Sequence, residues 1–328
     1  MDDLFSSNKK AYIEKKFCND LKAGEHLFTS FLLKKKEKDV TKQGKPYLKL
    51  EVADKTGSFE GRMWDNAEEA DRRIDTGMPV MVTAQVTEYR GSMQLKVDDI
   101  YPAQDGEYKQ GDLIRCVENI DDLFEKVKDC LRRNTSSKWM ILLIKTFLAD
   151  EELMQSFKHA PGARSWHNAY VGGLMEHSYE VMVIVEKMCE LYPEANKDIA
   201  IFGAFLHDVG KIFELDPQSF EYTHKGGLIG HVGLGFELLS EKIRGIEDFP
   251  ADLALNLKHV ILSHHGEYEQ QSPVLPKTLE SIIVYHSDDL VSQANAVREI
   301  MTAQSYGERD WSNFITIKNR KFFLKRPK

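Results

Sequence analysis

Ile199-Ala-Ile-Phe-Gly-Ala-Phe-Leu206 runs without a charge into His207-Asp-Val-Gly-Lys211. The first eight residues form an apolar helical run, and the histidine–aspartate pair falls where that run stops. Adjacent residues on a helix point about 100° apart. His207 and Asp208 can therefore serve one metal ion only if the helix ends against a cavity, and Gly210 is the expected stop. A neutral imidazole and a carboxylate suit a divalent ion that activates water. Taken alone, the pair reads equally well as a helix-terminal histidine beside a capping or surface aspartate.

Four further segments change that balance. His177 lies thirty residues upstream, on a helix opened by Gly172-Gly173 and carrying Leu174, Met175, Val181, Met182 and Val185 on one face. His231 follows in Gly230-His-Val232, then His264-His265 after the apolar positions Leu253, Leu257, Val260 and Ile261. Asp288 comes last, in Tyr285-His-Ser-Asp-Asp-Leu290. Each candidate sits on or beside an apolar face and is expected to point inward. A buried histidine or aspartate is costly unless it is paired or bound to metal. One such residue is usually a satisfied core group; five successive segments point to a metal site.

The order His…His-Asp…His…His-His…Asp, over about residues 160 to 300, resembles the HD superfamily of metal-dependent phosphohydrolases. The resemblance implies an all-helical domain in which His177, His207, Asp208 and Asp288 hold a first divalent ion. It implies a second ion on His231, His264 and His265, with Asp208 bridging. Asp289 is the rival for the role of Asp288, and which of His264 and His265 ligates is left open. Lys211 either pairs with the substrate phosphate or caps the helix C-terminus through its charge. Arg164 and His167 are candidates for phosphate contact, or else loop surface. His224, His259 and His286 read as ordinary surface or core residues.

At 328 residues the chain suits two or three domains. Its 42% apolar and 29% charged content is that of a globular protein. No stretch approaches eighteen uninterrupted apolar residues, so no membrane contact is expected, and the polar N-terminus has no secretory h-region. Cys18, Cys116, Cys130 and Cys189 show no Cys-x-x-Cys spacing and are expected to be reduced thiols. A net charge of −8 argues against coating nucleic acid by bulk electrostatics. Local basic clusters must then do that work. Residues 1 to 110 are near neutral, with 19 basic and 20 acidic side chains. Two clusters stand out: Lys34-Lys35-Lys36 with Lys38, and a tail in which Lys318, Arg320, Lys321, Lys325, Arg326 and Lys328 surround Phe322-Phe323-Leu324. Each reads as a solvated face or as a nucleic-acid contact.

Residues 20 to 104 change to alternating periodicity. Candidate strands are His26–Leu33, Tyr47–Ala53, Ser58–Trp64, Pro79–Tyr89 and Met93–Ile100, with a polar helix over Ala67–Ile74 after the third. Five short strands with a helix after the third predict an OB-fold barrel. Gly44-Lys-Pro-Tyr-Leu48, Asp54-Lys-Thr-Gly57 and Met63-Trp-Asp65 resemble nucleic-acid-binding OB domains. Phe31, Tyr47, Phe59, Trp64 and Tyr89 could stack bases, although most strand aromatics are core.

The chain is thus expected to be a multi-domain α and β protein. A helical extension spans 1–19, the five-stranded OB-fold β-barrel 20–104, a polar linker 105–112, the all-α HD domain 113–310 and the basic tail 311–328. Within the fourth part, helices are expected over Leu113–Arg133 and Lys138–Asp150. This pairing of domains, with Arg164-Ser-Trp-His-Asn168, Gly173-Leu-Met-Glu-His177 and Tyr222-Thr-His-Lys-Gly-Gly-Leu-Ile-Gly-His231, resembles the YhaM-type bacterial 3′→5′ exoribonucleases. The resemblance implies a cytoplasmic, Mn²⁺-dependent hydrolase, holding two ions, that releases nucleoside 5′-monophosphates. Its partner would be single-stranded RNA, with single-stranded DNA as a second candidate and homo-oligomerisation left open. In that reading Lys34, Lys35 and Lys36 of the barrel hold the RNA while the helical domain cuts it. The main alternative is a nucleotide or cyclic-nucleotide phosphohydrolase whose barrel regulates or oligomerises. Against the cyclic-dinucleotide version, no Gly-Tyr-Pro follows the double histidine, where the chain reads Gly266-Glu-Tyr-Glu-Gln-Gln271.

Overall fold

The computed structural model describes residues 14–41, 43–89, 92–164, 168–302, 310–312, 314, 315 and 319–325. The chain divides into two compact units between Cys116 and Val117.

In the first unit the alternating segments become β1 (His26–Val40), β2 (Pro46–Asp54), β3 (Gly57–Met63), β4 (Pro79–Tyr89) and β5 (Ser92–Pro102). They close in the order β1-β2-β3-β5-β4. β4 pairs back on β1, and only the β3–β5 pair is parallel. The two-residue side-chain period sends Leu48, Leu50 and Val52 of β2, and Val80, Val82, Ala84 and Val86 of β4, into one core. Helix α1 (Ala67–Arg73) adds Ala67 and Ala70, followed by Ile74. The expected OB-fold barrel is present.

The N-terminal extension differs from expectation. Residues 1–13 lie outside the described chain, and 14–17 are not helical; a single 3₁₀ turn, Cys18–Asp20, follows. Cys18 and Leu21 are buried in the barrel core. Lys15 Nζ lies 2.9 Å from Asp54 Oδ2, with both side chains almost wholly buried. The Cys18 backbone N–H donates to the same carboxylate at 2.8 Å. These residues belong to the barrel because their backbone and charge are satisfied there, on Asp54, instead of within a helix.

The linker also moves. Helix α2 (Gln110–Leu113) lies inside the expected linker and start of the helical domain, and Lys55 Nζ meets Asp112 Oδ1 at 2.8 Å, which ties this stretch to the barrel. The helix expected over 113–133 begins only at α3 (Ile120–Asn134). Before it, Val117 donates its N–H to Val171 O at 3.1 Å, so the backbone is used across the chain and not along a helix.

The second unit is all-helical through α4 (Lys138–Leu148), α5 (Glu151–His159), α6 (Gly173–Leu191), α7 (Lys197–Leu206), α8 (Lys211–Glu214), α9 (His224–Arg244), α10 (Ala251–Ser263) and α11 (Leu279–Thr302). The apolar run of the opening sequence is α7, buried from Asp198 to Leu206. Asn196 caps it by accepting the Ile199 N–H at 3.2 Å. α6, α10 and α11 pack around it, and all three carry candidate ligands. In the described part of the tail, Trp311 pairs with Phe323 and Ile315 with Arg320. Lys318, Arg326 and Lys328 lie outside the described residues. No described helix is long and apolar enough to cross a membrane, and all four cysteines are free.

Candidate metal centre

The ligand candidates converge from five places: His177 within α6, His207 and Asp208 just beyond α7, His231 within α9, His264 and His265 at the end of α10, and Asp288 on α11. Two groups have donor atoms within 4.8 Å of one another: His177, His207 and Asp288, and Asp208, His231, His264 and His265. Asp208 faces both. Its Oδ2 lies 3.4 Å from His207 Nε2 and 3.6 Å from His177 Nε2. Its Oδ1 lies 3.4 Å from His231 Nε2 and 3.5 Å from His264 Nε2. Between Asp288 and Asp289 the geometry selects Asp288, whose Oδ1 is 3.0 Å from His177 Nε2. Asp289 instead accepts from Gln293 at the surface.

The donor set fits divalent cations. His207 Nδ1 and His264 Nδ1 face the carbonyls of Ala204 and Ile261 at 2.8 and 2.7 Å, and His231 Nδ1 faces Glu214 Oε1 at 3.0 Å. Only a protonated Nδ1 satisfies those oxygens, which leaves each Nε2 as a bare lone pair aimed at the centre. His264 Nε2 is buried without a hydrogen-bond partner. Facing imidazoles come as close as 3.1 Å between Nε2 atoms, for His177 with His207 and for His231 with His265. At that separation a proton or a cation must lie between the two nitrogens of each pair. Burial, with His264 and His231 nearby, pushes His265 down to about 3, so it is a neutral donor. Burial works against the charge on Asp208, but the Lys211 ammonium at 2.6 Å opposes it, and the carboxyl is held well below its usual range.

Two local expectations are corrected. Gly210 does not stop α7 through a left-handed conformation; it is helical, at φ −63°. A Cβ there would lie 2.0 Å from His231 O, so glycine is required for the approach of α9. Lys211 does not cap the C-terminus of α7. It is the first residue of α8, and its ammonium sits 2.6 Å from Asp208 Oδ2.

An HD domain family matches residues 174–292, and an OB-fold nucleic acid binding domain family matches 33–103. The 3′-5′ exoribonuclease YhaM of Geobacillus sp. (strain WCH70) is 29% identical over 303 residues, covering 92% of each chain. That of Bacillus pumilus is 28% identical over 309 residues, covering 92% of this chain and 95% of its own. That of Listeria monocytogenes serotype 4b is 30% identical over 311 residues, covering 93% of this chain and 96% of its own. The chain belongs to the YhaM 3′-5′ exoribonuclease family.

In this YhaM-family chain the substrate-contact candidates fare unevenly. Arg164 lines a cavity of about 440 Å³ together with Lys211, His231 and His265. His167 and its neighbour Trp166 lie outside the described residues. Lys36 has a structural role: its ammonium caps the end of α1, donating to Asp71 O and Ile74 O at 2.8 and 2.5 Å. Lys34 and Lys35 lie at a register shift in β1. Lys35 lines a groove that it shares with Lys49 and Arg62 but also with Glu37, Glu51 and Glu60. Among the aromatics Phe31 and Phe59 are core, and the Tyr89 side chain lies outside the described residues. Trp64 is partly exposed and stacks on Tyr47 at 4.5 Å.

Sequence reading missed Glu214 and the form of α9. Glu214 is buried and accepts both the backbone N–H of His231, at 2.9 Å, and its ring Nδ1–H. α9 is kinked at Gly230, where φ is 76° and ψ 155°. The only signal for either was the glycine preceding His231.

Proposed function

We propose that this chain is a metal-dependent 3′→5′ exoribonuclease that hydrolyses single-stranded RNA, and secondarily single-stranded DNA, to nucleoside 5′-monophosphates in the cytoplasm. The observation that carries the reading is the split of Asp208, one oxygen toward each histidine group, in a YhaM-family chain. His177, His207, Asp288 and Asp208 would hold one ion, and Asp208, His231, His264 and His265 a second, with Mn²⁺ as the proposed occupant. Such ions supply Lewis acidity and a hydroxide at neutral pH. The protein supplies the rest. The carbonyls of Ala204 and Ile261 and the carboxylate of Glu214 fix three imidazoles in the ligating tautomer. Lys211 steadies Asp208 and lines the cavity, so it also reaches a phosphate placed there. Arg164 adds a second cation at the same cavity.

Purified protein incubated with 5′-labelled single-stranded RNA and Mn²⁺ should give a ladder shortening from the 3′ end, and circular RNA of the same sequence should stay intact. Asp208→Asn should abolish turnover while the fold survives, because a neutral amide does not balance two cations. Near-native activity of Asp208→Asn at saturating Mn²⁺ would remove the assignment. Inert RNA with cleaved free nucleotides would favour the small-molecule phosphohydrolase.

A further inference from the structure

The cavity beside the two ligand groups has a half-buried part, with Lys211, His231 and His265, and an exposed part, with Arg164, Tyr222 and Ile229. At about 440 Å³ it lies toward the small end of ligand sites, which run from about 300 to 1,000 Å³. Tyr222 is 55% exposed and Ile229 53%. Both side chains thus stand exposed at the edge of the same cavity.

The position of Tyr222 is built. Its backbone bridges to Leu215, and Asp216 N–H donates to Glu221 O at 2.9 Å, so a short antiparallel turn presents the ring. The Arg164 guanidinium lies 5.7 Å from the ring centroid and is held by Glu221 at 2.6 Å. An exposed ring on a paired turn, flanked by a cation and lining the same cavity as Lys211, has the features of a base-stacking platform.

We propose that Tyr222 stacks on the base of the 3′-terminal nucleotide, with Arg164 held beside it by Glu221, while the scissile phosphate reaches Lys211 and the ligand groups. The inference rests on the exoribonuclease reading and adds the residue that seats the end. Stacking is blind to base identity, so the seat serves any sequence.

The test uses the full-length enzyme with Mn²⁺ and two 5′-labelled RNAs, identical except that one ends in an abasic 3′ residue. For the native enzyme kcat/KM should favour the normal end by about 5- to 150-fold, the range one base–aromatic stack supplies. In Tyr222→Ala that ratio should fall to between about 1 and 2, and in Tyr222→Phe it should stay at the native value. Melting curves of both variants should match the native one, since the side chain is exposed. An unchanged ratio in Tyr222→Ala, or no preference in the native enzyme, overturns the proposal. Failure of the native enzyme to cut either RNA while it binds Mn²⁺ overturns the exoribonuclease reading itself, and the seat with it.

Discussion

Glu214 holds His231 by ring and backbone together, and this makes it the most informative single residue outside the candidate ligands. Carboxylates placed behind a ligating imidazole typically change metal affinity by about 10- to 100-fold. If the proposed pair of Mn²⁺ ions binds, Glu214→Gln should therefore weaken by about that factor the one on Asp208, His231, His264 and His265, and spare the one on His177, His207 and Asp288. Calorimetric titration with Mn²⁺ reads this directly, and two unchanged binding steps would deny Glu214 the role. The seven candidate ligands were legible in the sequence because a histidine or aspartate on an inward face is costly without a partner. Glu214 was not, since before Leu215-Asp-Pro217 it reads as an ordinary loop acid, and its partner lies 17 residues on. The contacts of Lys36 were not legible for a related reason. Its role depends on where the end of α1 falls, which no local pattern states.

Among the elements, α9 carries the sharpest constraint. Gly230 occupies a backbone region that is essentially restricted to glycine. The kink lets the Glu214 carboxylate meet the first N–H of the second half of the helix, so His231 begins that half with its backbone capped. Gly230→Ala should cost about 1–3 kcal/mol of stability and misplace His231, with loss of activity larger than the drop in melting temperature suggests. Denaturant unfolding measured beside RNA cleavage separates the two effects; full activity in a destabilised variant would show that His231 keeps its place without the kink. Strand β4 was easy to read because burial alternates from Val82 to Glu88, and it appears with its predicted ends, Pro79 and Tyr89, whereas β1 runs past its predicted end at Leu33 to Val40. The helix expected over 113–133 is present from Ile120 but starts late, because apolar spacing cannot reveal that the Val117 N–H is already committed to Val171.

At the scale of the molecule, two separate cores follow from the sequence's change of period, one in the barrel and one among the helices. Every candidate ligand lies in the second. Calorimetry should therefore resolve two transitions, and Mn²⁺ should raise only the one belonging to the helical unit. A thousandfold excess over Kd adds about 4 kcal/mol to the state that binds. A chelator should reverse the shift, and an equal rise in both transitions would contradict the independence of the two cores. The division into barrel and helices was legible, but its edges were not, because they depend on individual pairings. The Lys15–Asp54 pair is the clearest case. Family likeness in the barrel begins at residue 33, well after Lys15. A gene trimmed to that likeness, or to residue 20, would take Lys15 and the Cys18 N–H away from the Asp54 carboxylate and leave it the N–H and hydroxyl of Thr56. Losing one member of a buried pair costs about 3–5 kcal/mol, much of what a domain this size has to spare. Such a shortened barrel should melt well below the intact one, and thermal unfolding of the two reads the difference.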